Sequence, residues 1–335
     1  MLSSLPARPT GLQIPALLVV SLVSLGCRGE RVSPVSSTKV VSKTPTPPKP
    51  APPTLYEIIC RAFDRHRVKA RHRPIYLALA HLESNFTVDE ISPVGAVGLF
   101  QITPVTAASI LAAHPDLSPD LPLYNPPLDN GRHILYRGTA ERYSLKVMRW
   151  YATRLGRERD RLRGGEDYPR AIRALDIRFD PHANASMGVF HLERLRKGYF
   201  GHRRCYRYRG RLDKHKGKKL CGTFSGRHAT LLAAAGYHLG IGAVESMLAV
   251  SQSRSIRQYV TSIRRSRDPM YRRNHYYIAK LQRLSRRYSA LLSSELDRAA
   301  MARAFRRQPA LARRLFRRFP APPDRPASSR SASVR

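Results

Sequence analysis

From residue 55 to about residue 295, apolar side chains recur at spacings of three and four rather than two. That periodicity predicts helices over 55–66, 74–84, 103–113, 128–162, 184–197, 228–236, 241–250 and 270–295. Runs of alternating β-branched residues are missing and no internal repeat is evident, so the expected fold is mainly α. In the second predicted helix, "PIYLALAHLES", Pro74 suits the first turn. At about 100° per residue, Ile75, Ala78, Leu79, Leu82 and Phe86 share one face. Glu83 falls at the edge of that stripe, one turn beyond Leu79.

The flanks lack this periodicity. Arg8 precedes an apolar stretch from Ile14 to Leu25, which is too short for the roughly 20 residues of a spanning helix and suits the apolar region of an export signal. The "GCRGE" that follows resembles a lipoprotein signal, cut before a Cys that then carries lipid; this makes Cys27 the expected lipidation site, with plain secretion as the other reading. Residues 28–54 are rich in Pro, Ser, Thr and Lys and read as a partly extended tether. The expected organisation is a signal over 1–27, a linker over 28–54, a folded domain over 55–290, and an Arg-rich helical extension with a disordered tail over 291–335. The extension, interrupted at Pro309, could lie on anionic lipid or stand as a solvated helix.

Composition narrows the partners. Of 335 residues 42% are hydrophobic, enough for a sizeable core, yet 60 Lys and Arg against 23 Asp and Glu leave a net charge of +37. Such a charge implies a polyanionic partner: nucleic acid, an anionic membrane or an acidic wall polymer. Export argues against nucleic acid, and no zinc-finger or basic-zipper pattern is present. In an oxidising compartment Cys205 and Cys221, which bracket a basic loop, are expected to form a disulfide. His202, His215 and His228 nearby would permit zinc, but their spacing fits no established pattern, and neither metal nor cofactor is expected. Cys60 reads as a buried free thiol.

By itself Glu83 is a carboxyl at the border of an apolar face, where partial desolvation favours the protonated form that can donate to a leaving oxygen. The residues after it carry more information. Between Ser92 and Ala107, in "SPVGAVGLFQITPVTA", there is no charge; Gly95 and Gly98 allow close backbone approach, and Gln101 places one amide in an apolar setting. A tight packed turn between helices is the alternative reading.

Glu83-Ser84, Phe86, Ser92, Gly95-Ala96, Gly98-Leu99, Gln101, Pro104 and Thr106-Ala107 together resemble the signature of the soluble-type lytic transglycosylases, a goose-lysozyme-like family that cleaves peptidoglycan. Downstream, Asp180-Pro181, Asn184, Gly188 and Leu192 are similar to a second family segment. "AGYHLGIG" is similar to the family's Ala-Tyr-Asn-x-Gly-x-Gly motif, and Tyr277 in "RNHYYIAKL" matches a cleft tyrosine. The resemblance covers about 55–285, outside apparent insertions at 121–175 and 201–227.

It implies a lysozyme-like helical domain with a substrate cleft. It also implies a single catalytic carboxylate, Glu83, acting first as acid and then as base on the bond between N-acetylmuramic acid and N-acetylglucosamine. Ser84, Gln101, Tyr237, His238 and Tyr277 would contact substrate. His238 stands where the family has Asn, a larger and titratable replacement. The implied partner is the peptidoglycan strand of a periplasmic, outer-membrane-anchored lipoprotein. A hydrolytic lysozyme, or a wall-binding protein that has lost catalysis, remain the alternatives.

Overall fold

The first helix begins where a Thr and a Glu can cap one another. In the computed structural model α1 (Leu55–Arg65) opens at Thr54, whose hydroxyl accepts from the Glu57 amide while the Glu57 carboxylate accepts from the Thr54 amide. Leu55, Ile58, Ile59, Ala62 and Phe63 are buried at the expected spacing of three and four. The structure describes residues 51–117, 121–127, 144–202, 204–208, 216–224, 226–293, 305 and 309–319. Cys27 and the export signal, nearly all of the linker, His215, residues 128–143 and the C-terminal tail lie outside the described residues.

The next helix, α2 (Arg73–Ser84), departs from the amphipathic expectation. Every side chain from Ile75 to Ala80 is at most 1% exposed. The helix runs through the core rather than along its surface, which explains why its sequence is almost uninterruptedly apolar. It reaches the surface at Arg73 in its first turn and at His81, Leu82 and Glu83 in its last, and ends at Asn85 in the left-handed region.

After α3 (Pro104–Ala113), the segment read as an insertion supplies α4 (Leu145–Leu162) and α5 (Tyr168–Leu175). Helix α6 (Pro181–Leu195) is capped by Asp180 and is as deeply buried as α2. A hairpin of β1 (Arg204–Arg207) and β2 (Lys219–Gly222) precedes α7 (Gly226–Leu239), α8 (Ile241–Ser251), α9 (Ile256–Arg265) and α10 (Pro269–Ser293). The last described helix is α11 (Pro309–Leu315). The fold is mainly helical, as expected. Among the described residues no helix is long and apolar enough to cross a membrane.

The core is built by α2 lying along α10, α1 against α6, and α7 touching α2, α6, α8 and α10. A second, smaller apolar cluster joins Val97 to Tyr151, Leu155, Ile172 and Phe179. The segment 144–175 is therefore a buttress beneath the 91–102 loop.

Three elements differ from the sequence reading. Helix α9 buries Ile256, Tyr259 and Ile263, with Val260 partly buried beside them, and its remaining side chains are polar. Helix α5 buries Ile172 alone, too sparse a stripe to stand out between charges. The hairpin has four-residue strands held by tertiary packing: Tyr206 and Leu220 face each other in register and are buried near Phe200 and Phe224. Cys205 and Cys221 occupy the adjoining pair and are joined by a disulfide. Cys60 is a half-buried free thiol, its pKa pushed up to about 11 by burial.

The Arg-rich extension returns to the domain. Leu55 donates to Arg317 O and Phe319 to Pro53 O, the Phe316 ring meets Tyr56, and Leu311 and Leu315 are buried. The apolar face of α11 is thus used against α1, so the folded unit continues past residue 290 and that face is not presented to a lipid surface.

Candidate active site

Glu83 stands in the last turn of α2, with its side chain 13% exposed. Tyr277, one element away on α10, donates its hydroxyl to Glu83 Oε1 over 2.9 Å. His238, at the end of α7, brings Nδ1 to 3.3 Å from the same oxygen. The His238 and Tyr277 rings stack with centroids 4.0 Å apart and planes 6° from parallel, so each fixes the angle at which the other meets the carboxylate. Burial first, and then the charge of Glu83, raise the Tyr277 pKa well above its ordinary value. Its hydroxyl therefore remains a protonated donor.

The 91–102 loop forms the other wall. Ser92 closes the first turn: its hydroxyl accepts from the Val94 and Ala96 amides, and its own amide donates to Ala96 O. Gly95 and Gly98 both have φ of +76°, a region that favours glycine. A side chain at Gly95 would run into the Tyr151 ring, and one at Gly98 into Asn184 and Arg178 O. These glycines are required by both backbone angle and lack of room.

Three side chains clamp this loop from beneath. Asn184 on α6 accepts from the Phe100 amide at 2.9 Å and donates to Val97 O and Arg178 O at 2.9 and 2.8 Å. Arg178 is fully buried; it donates to Gly95 O at 2.8 Å and Ile102 O at 3.0 Å, and pairs with Asp176, itself fully buried, at 2.7 Å. The Tyr237 hydroxyl donates to Phe100 O. Burial, then the nearby charge of Glu83, raise the Tyr237 pKa well above its ordinary value.

The residues expected around substrate divide into two groups. Glu83, His238 and Tyr277 touch one another. Ser84 is turned away: it is 6% exposed and donates to Leu99 O and Ala80 O, so it ties the loop to α2 and bonds neither Glu83 nor an external group. Gln101 has φ of 47° and commits its side-chain NH₂ to Gly98 O and Glu90 O, while its side-chain carbonyl has no partner among the described residues. Asp176, Arg178 and Tyr151 were not singled out from the sequence. In the sequence, "LDIRFD" places Arg178 between Ile177 and Phe179 with an Asp two residues to either side, a pattern that local reading does not separate from other isolated Arg residues such as Arg149 and Arg173.

A second carboxylate is the other question. Asp89 accepts from Tyr168 at 2.9 Å and from Arg163 at 3.1 Å. Burial works against its charge, but these bonds and the Arg163 charge outweigh it and hold its pKa below the ordinary value. Asp89 is thereby an ionised anchor for the α4–α5 segment. Glu90 is exposed and contributes its backbone carbonyl to the loop.

Residues 64–126 match the transglycosylase SLT domain model. The chain matches no curated protein and no solved structure. The matched segment contains Glu83 and the whole 91–102 loop; Asn184, Tyr237, His238 and Tyr277 lie beyond it. At the level of that family, the match supports a lytic transglycosylase-type function acting on peptidoglycan.

Proposed function

We propose that this protein is an exported peptidoglycan lytic transglycosylase in which Glu83 is the sole catalytic carboxylate. It would cleave the β-1,4 bond between N-acetylmuramic acid and N-acetylglucosamine and leave a 1,6-anhydro end. The observation that carries the reading is that one oxygen of Glu83 is fixed by Tyr277 and His238, while Asp89 is committed to Arg163 and Tyr168.

On this reading Glu83 protonates the glycosidic oxygen and the leaving N-acetylglucosamine departs. The acetamido group of the muramic acid supports the positive anomeric carbon. The carboxylate, now ionised, removes the proton from the C6 hydroxyl, whose oxygen closes on C1. No water enters the products, so no second carboxylate is required, in contrast to hydrolysis by paired acids. Tyr277 orients Glu83 in both steps. The carbonyl of Gln101 and the loop backbone are available to sugar hydroxyl or acetamido groups. Export through the 1–27 signal and lipid attachment at Cys27 would hold the domain in the periplasm at the outer membrane, where its positive charge favours an acidic wall.

Glu83→Gln keeps shape and loses the acid. Purified sacculi digested with the wild-type protein should release 1,6-anhydromuropeptides detectable by mass spectrometry, and the variant should release none while still sedimenting with sacculi. Reducing ends in place of anhydro ends would support a hydrolase instead. Wild-type protein that binds sacculi and releases nothing would leave a wall-binding role.

A further inference from the structure

Beyond the Glu83–Tyr277 contact, the seam between α2 and α10 continues as a groove of about 610 Å³. Its α2 side carries His81, Leu82 and Asn85, and its α10 side Lys280, Arg283 and Arg287; among the described residues no carboxylate lines it. Lys280 and Arg283 are exposed and have no ion-pair partner among the described residues, and Arg287 lies over the Phe305 ring. Arg314 of α11 adds a fourth cation at the rim, donating to Asn85 O at 3.4 Å. His81 also lines the groove, and its ring nitrogen bonds Tyr288. Burial, then Arg287 and Lys280, push its pKa down to about 4, so the ring is neutral and adds no charge of its own. Lys280 and Arg283, like-charged and without an ion-pair partner among the described residues, leave a place that an anion would complete.

We propose that this groove binds the carboxylates of the peptide stem carried by N-acetylmuramic acid, with Lys280 and Arg283 as the pairing cations. The inference rests on the peptidoglycan reading above and names the part of the substrate that the seam recognises. The stem leaves the lactyl group of the very sugar whose bond Glu83 would protonate, and it carries several free carboxylates. At 1.5 Å per residue, Lys280, Arg283 and Arg287 lie about 4.5, 9 and 15 Å along α10 from Tyr277. An extended stem of five residues spans at most about 17 Å. The cations are therefore spaced over the length that a stem starting at the Glu83 site would cover.

The test uses the full chain and its Lys280→Glu/Arg283→Glu double variant, both on sacculi and on glycan strands from which an amidase has removed the stems. Expected is a rise in KM of about tenfold on stem-bearing substrate, as for the loss of charge-assisted bonds at an exposed site, with turnover of stripped strands unchanged. Equal loss on both substrates, or none on either, overturns the proposal. Sedimentation with vesicles of anionic phospholipid supplies the rival outcome: loss of vesicle binding with unchanged kinetics would assign the groove to a membrane and overturn the stem reading. Calorimetry with a free stem tetrapeptide reads the groove without catalysis. A wild-type protein that binds the tetrapeptide but releases no anhydro product would retain the groove and sink only the catalytic reading; no wild-type binding, or equal binding by the double variant, would sink the groove.

Discussion

Asn184→Ala should damage the protein more than the loss of one surface amide, because the side chain is 1% exposed and holds three backbone groups at once. The three are not equivalent. Val97 O also accepts from the Ile102 amide at 3.0 Å and keeps a partner after the change. The Phe100 amide and Arg178 O lose theirs. Stranding a buried polar group costs about 1–3 kcal/mol, and the space left by the amide adds about 1 kcal/mol. Two stranded groups and a small cavity give a loss of about 3–7 kcal/mol. For a folded unit of this size that corresponds to a melting point lower by roughly 6–28 °C. Urea unfolding followed by circular dichroism measures the first quantity and calorimetry the second. Product release from sacculi should fall further than stability alone accounts for, because the loop facing Glu83 loses its clamp. A variant that loses less than about 1 kcal/mol would show that the loop is held elsewhere, and the reasoning would be wrong.

Tyr277→Phe removes the donor to Glu83 while leaving the ring stacked on His238; a partly exposed bond to a carboxylate is worth about 1.5 kcal/mol, so kcat should fall roughly tenfold with KM little changed in steady-state assays. Glu193 accepts from Tyr76, Arg196 and Lys197; burial opposes its charge, but these partners win and hold its pKa at about 2 against an ordinary 4.5. A depressed carboxyl stabilises the fold above its unfolded pKa, so stability on the order of 3 kcal/mol should be lost as pH falls from about 4.5 towards 2. Glu193→Gln should flatten that slope in acid titrations of unfolding. Replacing Cys205 and Cys221 together by Ser opens a loop of sequence separation 16 and should cost about 3 kcal/mol, with no change in the rate per folded molecule.

What the sequence made legible follows from the range of the interactions involved. Helices α1, α2, α6, α7 and α10 bury enough apolar side chains to be read locally, α1 along one stripe and α2 and α6 almost all round. Helices α5 and α9 and the hairpin do not; they exist because Ile172, Tyr259, Tyr206 and Leu220 meet partners far away in sequence, which a local window does not contain. At the site, Glu83, Gly95, Gly98 and Gln101 were readable because one short segment carries them. The direction of the Ser84 hydroxyl was not, since the groups it bonds are fixed only once the loop has folded over α2. Arg178 escaped notice for the same reason: three of its partners, Gly95 O, Ile102 O and Tyr151, lie 27 to 83 residues away.

These placements also account for the segment that no family pattern covers. A loop with two glycines in the left-handed region and a Gln at positive φ has little reason to hold one shape by itself. Here the Tyr151 ring fills the space left by the missing side chain of Gly95, and Arg159, Arg163 and Tyr168 fasten Asp89 just before the loop begins. Helices α4 and α5 thus brace the loop from the outside while Asn184 and Arg178 hold it from within. The outer support bonds Asp89 and packs on Gly95, while the inner one bonds Gly95 O, Val97 O, Ile102 O and the Phe100 amide, so the loop is held at both its entry and its middle. Glu83 is held separately from this loop, by Tyr277 on α10 and His238 on α7.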